Sequence, residues 1–90
     1  MGVRVEIPPQ LRAQAEGQTA VDLAGATVGD VLTALGTKFP ALNQRIMEGG
    51  QVRRFINVYL NREDVRYLDN LATPVKDGDT LAIIPAVAGG

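Results

Sequence analysis

The stretch Thr27-Val28-Gly29-Asp30-Val31-Leu32-Thr33-Ala34-Leu35-Gly36-Thr37-Lys38-Phe39-Pro40 reads as one amphipathic helix set between two groups of strands. Val28, Val31, Leu32, Leu35 and Phe39 recur at helical spacing and give it a single apolar face. Thr27 is a good N-cap, because its hydroxyl can accept a hydrogen bond from a first-turn amide. Asp30 sits near the positive end of the helix dipole. Pro40 stops or kinks the helix, since the residue before a proline is pushed out of the α region. Residues 41–47 continue as a short second helix, with Leu42 and Ile46 four apart.

On the N-terminal side, Val3, Val5 and Ile7 alternate with Arg4 and Glu6, the period of a half-buried strand. Pro8-Pro9 ends it, because neither can donate a ladder hydrogen bond. Residues 11–16 suit a turn of helix stopped by Gly17. Thr19, Val21 and Leu23 then alternate again, which makes a β-hairpin with a long connection. On the C-terminal side, residues 48–51 read as a loop. Residues 55–60 form the strongest strand of the chain. Asn61-Arg62 supplies a turn, Val65 opens a short return strand, and residues 71–75 are irregular. Asp77-Gly78-Asp79 is a turn signal, and residues 80–84 are the last strand, closed by Pro85. Strand, strand, helix, strand, short strand, strand is an α+β domain with one main helix packed on one face of a sheet.

Composition narrows the chemistry. The 90 residues are enough for one domain and one core, with 46% apolar and 21% charged residues and a net charge of −1. A chain of this size buries roughly 60–65% of the surface its unfolded form exposes, so its core is small. Near-neutral charge argues against an electrostatic nucleic-acid binder. The charges are scattered, Arg53-Arg54 being the adjacent basic pair, so no polybasic membrane signal is present. No apolar run approaches the ~20 residues of a membrane span. The N-terminus lacks the apolar segment of a signal peptide, and the expected location is the cytoplasm. Cys, His and Trp are all absent. That removes encoded thiolate catalysis, disulfides, the usual Cys/His metal site and the commonest general base. No metal site and no bound cofactor are expected.

Carboxylate chemistry stays open in principle, but a conventional active site is not expected, and attention falls on residues 86–90. Ala86-Val87-Ala88-Gly89-Gly90 is small, apolar and uncharged, and neither glycine carries a Cβ. These five residues, as a flexible tail on a body of residues 1–85, can extend about 17 Å at most. Such a tail can thread a narrow channel and deliver its terminal carboxylate to another protein's active site. The ordinary reading is a frayed terminus.

The segment Asp77-Gly78-Asp79-Thr80-Leu81-Ala82-Ile83-Ile84-Pro85-Ala86-Val87-Ala88-Gly89-Gly90 resembles the C-terminus of the ubiquitin-like β-grasp sulfur carriers, a family that includes the thiamin sulfur carrier and the small subunit of molybdopterin synthase. Their pattern is an aspartate-glycine-aspartate turn, an apolar strand, a proline and a flexible glycine-glycine end. Asn57-Val58-Tyr59-Leu60-Asn61 with Glu63-Asp64-Val65 resembles the family's middle hairpin. The ending from Ile84 to Gly90, the pair Arg54-Phe55 and the length look most like the cysteine-biosynthesis carriers of actinobacteria.

The resemblance implies a β-grasp fold with a mixed sheet and a carrier rather than an enzyme. A ubiquitin-activating-type enzyme would adenylate the Gly90 carboxylate with ATP and magnesium, both used by that partner. A sulfur donor would then displace AMP and leave a thiocarboxylate. In the cysteine pathway a pyridoxal-phosphate synthase presents an aminoacrylate to this sulfur, and a metal-dependent peptidase releases the product. Alternatives are sulfur donation to molybdopterin, thiamin or a thiosugar, and a protein modifier joined through Gly90. Gly89 would give access to the reacting carboxylate, and Ala86, Val87 and Ala88 would line the partner's channel.

Period-two parity also sorts the strands. Val3, Val5, Ile7, Ile56, Val58, Leu60, Leu81 and Ile83 should face the helix, and Arg4, Phe55, Asn57, Tyr59, Ala82 and Ile84 should face outward. Phe55, Tyr59 and Ile84 would then form an exposed apolar patch, the candidate partner-binding face. In the related carriers the residue before the proline is often a docking aromatic, and here it is Ile84. Glu63-Asp64 reads as a solvated turn and Arg53-Arg54 as a solvated strand entrance.

Overall fold

A computed structural model describes residues 2–86, so the expectations for Val87, Ala88, Gly89 and Gly90 lie outside the described residues. The chain runs β1 (Val3–Glu6), a 3-10 helix (Pro9–Ala15), β2 (Ala20–Leu23), α1 (Val28–Lys38), α2 (Pro40–Ile46), β3 (Met47–Glu48), β4 (Gln51–Val52), β5 (Ile56–Leu60) and β6 (Glu63–Asp64). Two 3-10 turns follow, Val65–Tyr67 and Asn70–Ala72, and β7 (Thr80–Pro85) comes last. The main sheet has the order β2-β1-β7-β5-β6. β1 and β7 pair in parallel, with Val5 beside Leu81, and the other neighbours in that sheet are antiparallel. This mixed sheet with helices on one face is the β-grasp arrangement that the resemblance implied.

The helix forms as its ends dictate. The Thr27 hydroxyl accepts from the Asp30 amide at 3.1 Å, and the Asp30 carboxylate accepts from the Ala26 amide at 3.3 Å. The first bond satisfies one orphan amide of the opening turn, and the second ties the residue before the cap to the helix. At the other end Phe39 leaves the helical region with φ −131° and ψ 82°, and Pro40 starts α2. Val28, Val31, Leu32, Leu35, Phe39, Leu42 and Ile46 are all buried. The eight strand residues expected to face the helix are each at most 9% exposed, so the parity assignment holds on every one. Each such aliphatic side chain stabilises the fold by roughly 1.5–3 kcal/mol when fully buried.

Three local readings change. Gly49 and Gly50 form the turn of a second, two-stranded hairpin, β3 with β4, where a plain loop was expected. Their φ values of 60° and 80° suit the turn whose twist matches the flanking strands. The return strand after Asn61-Arg62 is Glu63–Asp64, and Val65 opens a 3-10 turn. Asp64 is 7% exposed, not solvated.

Two buried carboxylates fasten the C-terminal half. Asp79 accepts from the Asn61 side-chain amide at 3.0 Å and from the Lys76 backbone amide at 2.9 Å. Asn61 in turn accepts from the Thr80 amide at 2.9 Å, which ties the β5–β6 turn to the entrance of β7. Asp64 accepts from the Arg66 amide at 2.9 Å and pairs with the Arg66 guanidinium at 2.8 Å. The hydrogen bond from Arg66 holds Asp64 below its ordinary pKa, and that from Asn61 does the same for Asp79, with burial opposing both.

A carboxylate whose pKa is depressed in the folded state stabilises the fold above its unfolded value and loses that contribution as pH falls through the folded value. Stability should therefore stay flat from neutrality down to about pH 4, near the ordinary carboxylate pKa, and fall below it. Urea unfolding across this range checks the point. Asp79→Asn should lower stability at neutral pH and flatten the acid limb.

Candidate functional site: the outward sheet face beside β7

β7 is the last element before residues 87–90, and the sheet face beside it carries the expected docking residues. Leu81 and Ile83 point into the core, and Ile84 is 44% exposed on the opposite face. Against β5 the register is Tyr59 with Ala82, Asn57 with Ile84 and Ile56 with Pro85. The pairing carries on past the strand end: the Ala86 amide donates to the Phe55 carbonyl at 2.6 Å. Ile84 therefore lies opposite Asn57, with Tyr59 and Phe55 as its two diagonal neighbours, a spacing of about 7–8 Å that large side chains can span.

The three expected docking residues thus come together around Ile84. Phe55 is 57% exposed and Tyr59 is half-buried. Phe55 sits in a turn rather than in the strand, because the Ile56 amide bonds back to the Arg53 carbonyl at 3.0 Å. Ala86, the first residue of the expected channel segment, is exposed. Val87, Ala88, Gly89 and Gly90 are outside the described residues.

The same face holds residues that the sequence reading passed over. The Arg66 guanidinium reaches from Asp64 to the Asn57 side-chain oxygen, at 2.6 Å. Asp64 is the register partner of Tyr59, so this pair borders the apolar patch. Tyr67, next along the 3-10 turn, is 83% exposed. No periodicity marks it, since the turn is three residues long. The one available signal was the placement of a large aromatic in a polar, turn-forming stretch.

The acids that the fold buries, Asp64 and Asp79, are engaged by Arg66, Asn61 and Lys76 rather than aimed together at a metal or a substrate. A groove of 720 Å³ lies between Arg53-Arg54 and the turns that follow β6, with Ile56 and Val58 among its lining residues. Arg53 there is occupied by the Gln44 carbonyl at 2.9 Å and by Glu48 at 3.2 Å. Among the described residues, no helix is long and apolar enough to cross a membrane.

A five-stranded mixed sheet, helices on one side, and an apolar outward face beside the strand that leads to the C-terminal segment define a ubiquitin-like β-grasp domain of the carrier type. The chain belongs to the ThiS family, whose match covers residues 5–90. It is 43% identical over 93 residues to the sulfur carrier protein CysO of Mycobacterium tuberculosis, with 100% of both chains covered. A chain in the crystal structure of the Amycolatopsis orientalis BexX/CysO complex superposes with a TM-score of 0.92 at 44% identity, covering 99% of this chain and 100% of that one. The small archaeal modifier protein 3 of Haloferax volcanii is 45% identical over 65 residues, 72% of this chain and 71% of that protein.

Proposed function

We propose that the chain is a cytoplasmic sulfur carrier whose reacting group is the Gly90 carboxylate, and that cysteine biosynthesis receives the sulfur. The observation that carries this is the 43% identity, along the whole chain, to proteins named sulfur carrier protein CysO. The absence of Cys and His from the sequence supports a carrier over an enzyme, because neither a thiolate nucleophile nor an imidazole base is encoded.

The chemistry follows from the carboxylate. A carboxylate is a poor electrophile, so it must first attack the α-phosphorus of ATP and expel pyrophosphate, in a ubiquitin-activating-type enzyme that supplies the magnesium. The acyl adenylate then has AMP as a good leaving group. A sulfur donor attacks the carbonyl, AMP departs, and a thiocarboxylate remains. That anion is a soft nucleophile, suited to an activated acceptor such as an aminoacrylate held by a pyridoxal-phosphate enzyme. Hydrolysis by a metal-dependent peptidase would restore the carboxylate. In this scheme the described body contributes recognition: Phe55, Tyr59 and Ile84 dock the partner, and β7 aims residues 86–90 at its active site.

A second reading, a protein modifier joined through Gly90, is favoured by the likeness to the Haloferax modifier over 65 residues. Intact mass after incubation with activating enzyme, ATP and sulfide separates the two. Replacement of one oxygen by sulfur on the chain is the expected result. Adducts on lysines of other proteins would favour the modifier, and no change with any activating enzyme would remove both.

A further inference from the structure

Arg53 reads from the sequence as part of a solvated strand entrance, yet it is bonded three ways. Its backbone amide donates to the Ile46 carbonyl at 2.7 Å, its Nε donates to the Gln44 carbonyl at 2.9 Å, and its Nη1 donates to Glu48 at 3.2 Å. Gln44 and Ile46 lie in the last turn of α2, where carbonyls have no partner inside the helix. Arg53 therefore caps that end with both its backbone and its side chain, and places its charge where helix carbonyls favour a cation. The pair with Glu48 is solvent-exposed and adds little. The two carbonyl bonds are what fix the residue.

Arg53 in turn holds a tight turn. Its own carbonyl accepts from the Ile56 amide at 3.0 Å, which closes residues 53–56. Inside that turn the Phe55 carbonyl accepts from the Ala86 amide at 2.6 Å. By antiparallel alternation, Ile56 and Pro85 then face each other without exchanging hydrogen bonds, and the next bonded pair inward is Asn57 with Ile84. Pro85 has no N–H with which to substitute. Among the described residues, the bond to Ala86 is thus the last one tying the end of β7 to β5. Without it, residues 85 and 86 come off the sheet together.

We infer that Arg53 is a positioning residue for the Gly90 carboxylate. It clamps the 53–56 turn to the end of α2, and through the Phe55 carbonyl that turn sets the point from which residues 87–90 leave the body. The inference rests on the carrier reading and adds to it the device that sets the reach of the reacting group. With the root at Ala86, four residues lie beyond it, and with the root at Ile84, six. Lengthening an unanchored segment from four residues to six lowers the concentration of its end at a fixed target about twofold, by the −3/2 power of length.

Two measurements test this. The first is hydrogen exchange on the chain alone. In Arg53→Ala the Ala86 amide should exchange about tenfold faster, the equivalent of one hydrogen bond, while the Asn57 and Ile84 amides keep wild-type protection. Arg53→Lys keeps the charge but not the fork of donors, so it should lie between, and it carries the test should Arg53→Ala not fold. The second is first-turnover pyrophosphate release by an adenylating enzyme that loads the wild-type chain, at varied carrier concentration. The carrier is the substrate, so a loss of folded carrier raises the half-saturating concentration and leaves the limiting rate alone. A displaced root does the opposite. Arg53→Ala should lower the limiting rate about twofold at wild-type half-saturation, and Arg53→Lys should restore part of it. Wild-type exchange at Ala86 in these variants overturns the inference. So does faster exchange with a wild-type limiting rate, or an effect confined to half-saturation. A wild-type chain that no adenylating enzyme loads refutes the carrier reading and the positioning role with it, whatever the exchange shows.

Discussion

Deletion of Gly90 should abolish sulfur loading and leave the thermal midpoint nearly unchanged. The body is secured upstream of that residue: Leu81 and Ile83 fill the core, Asp79 fastens the entrance of β7, and pairing with β5 runs as far as Ala86 and Phe55. Removing one glycine takes away no side chain. It does shorten the reach of the segment by one residue, about 3.5 Å. An error of 1 Å at a reacting centre can cost about a hundredfold in rate, so a carboxylate 3.5 Å short is out of reach of ATP. The deletion should also abolish ATP–pyrophosphate exchange, because adenylation is the step that needs the carboxylate in place. Binding to the activating enzyme should largely persist, since the proposed docking face is intact. A deletion variant that still loads at the wild-type rate would place the reacting group elsewhere.

The sheet and main helix were legible because their signals are periodic. Alternation in Val3-Arg4-Val5-Glu6 and the helical spacing of Val28, Val31, Leu32 and Leu35 each repeat often enough to exclude the other structure, and burial agrees residue by residue. The outward face followed from the same parity, which is why Tyr59 and Ile84 lie on the side of the sheet away from the helix as expected. The features passed over have no period. β3 and β4 are two residues each, too short to alternate. Asp64 is buried by an arginine two residues away folding back over it, a side-chain arrangement that a sequence reads as two solvated charges. Phe55 counted as the first residue of β5 by hydrophobicity, yet the bond from Ile56 to Arg53 turns the backbone there. Tyr67 needed knowledge of where the turn after β6 lies against the sheet.

Leu81→Ala should be the most destabilising single change in the body, and its functional consequence should differ in kind from loss of Gly90. Leu81 is fully buried in the central strand, with Val5 beside it on β1 and Leu60 on β5. Truncation there leaves a cavity bounded by two strands already held in register, so little collapse can fill it. A cost of roughly 2–5 kcal/mol follows. Against a total stability of about 5–10 kcal/mol for a domain this small, that removes roughly a fifth of the margin or more. The midpoint should drop by about 8–40 °C, from ~4–8 °C per kcal/mol in a domain of this size. Loading should fail near the new midpoint and recover on cooling, because the folded fraction still carries an intact face and an intact Gly90. Thermal melts paired with loading rates at two temperatures check this. The Gly90 deletion should show no such recovery, since its defect lies in reach rather than in the population of the folded state. If both variants responded alike to cooling, the division into a body that positions and a terminus that reacts would fail.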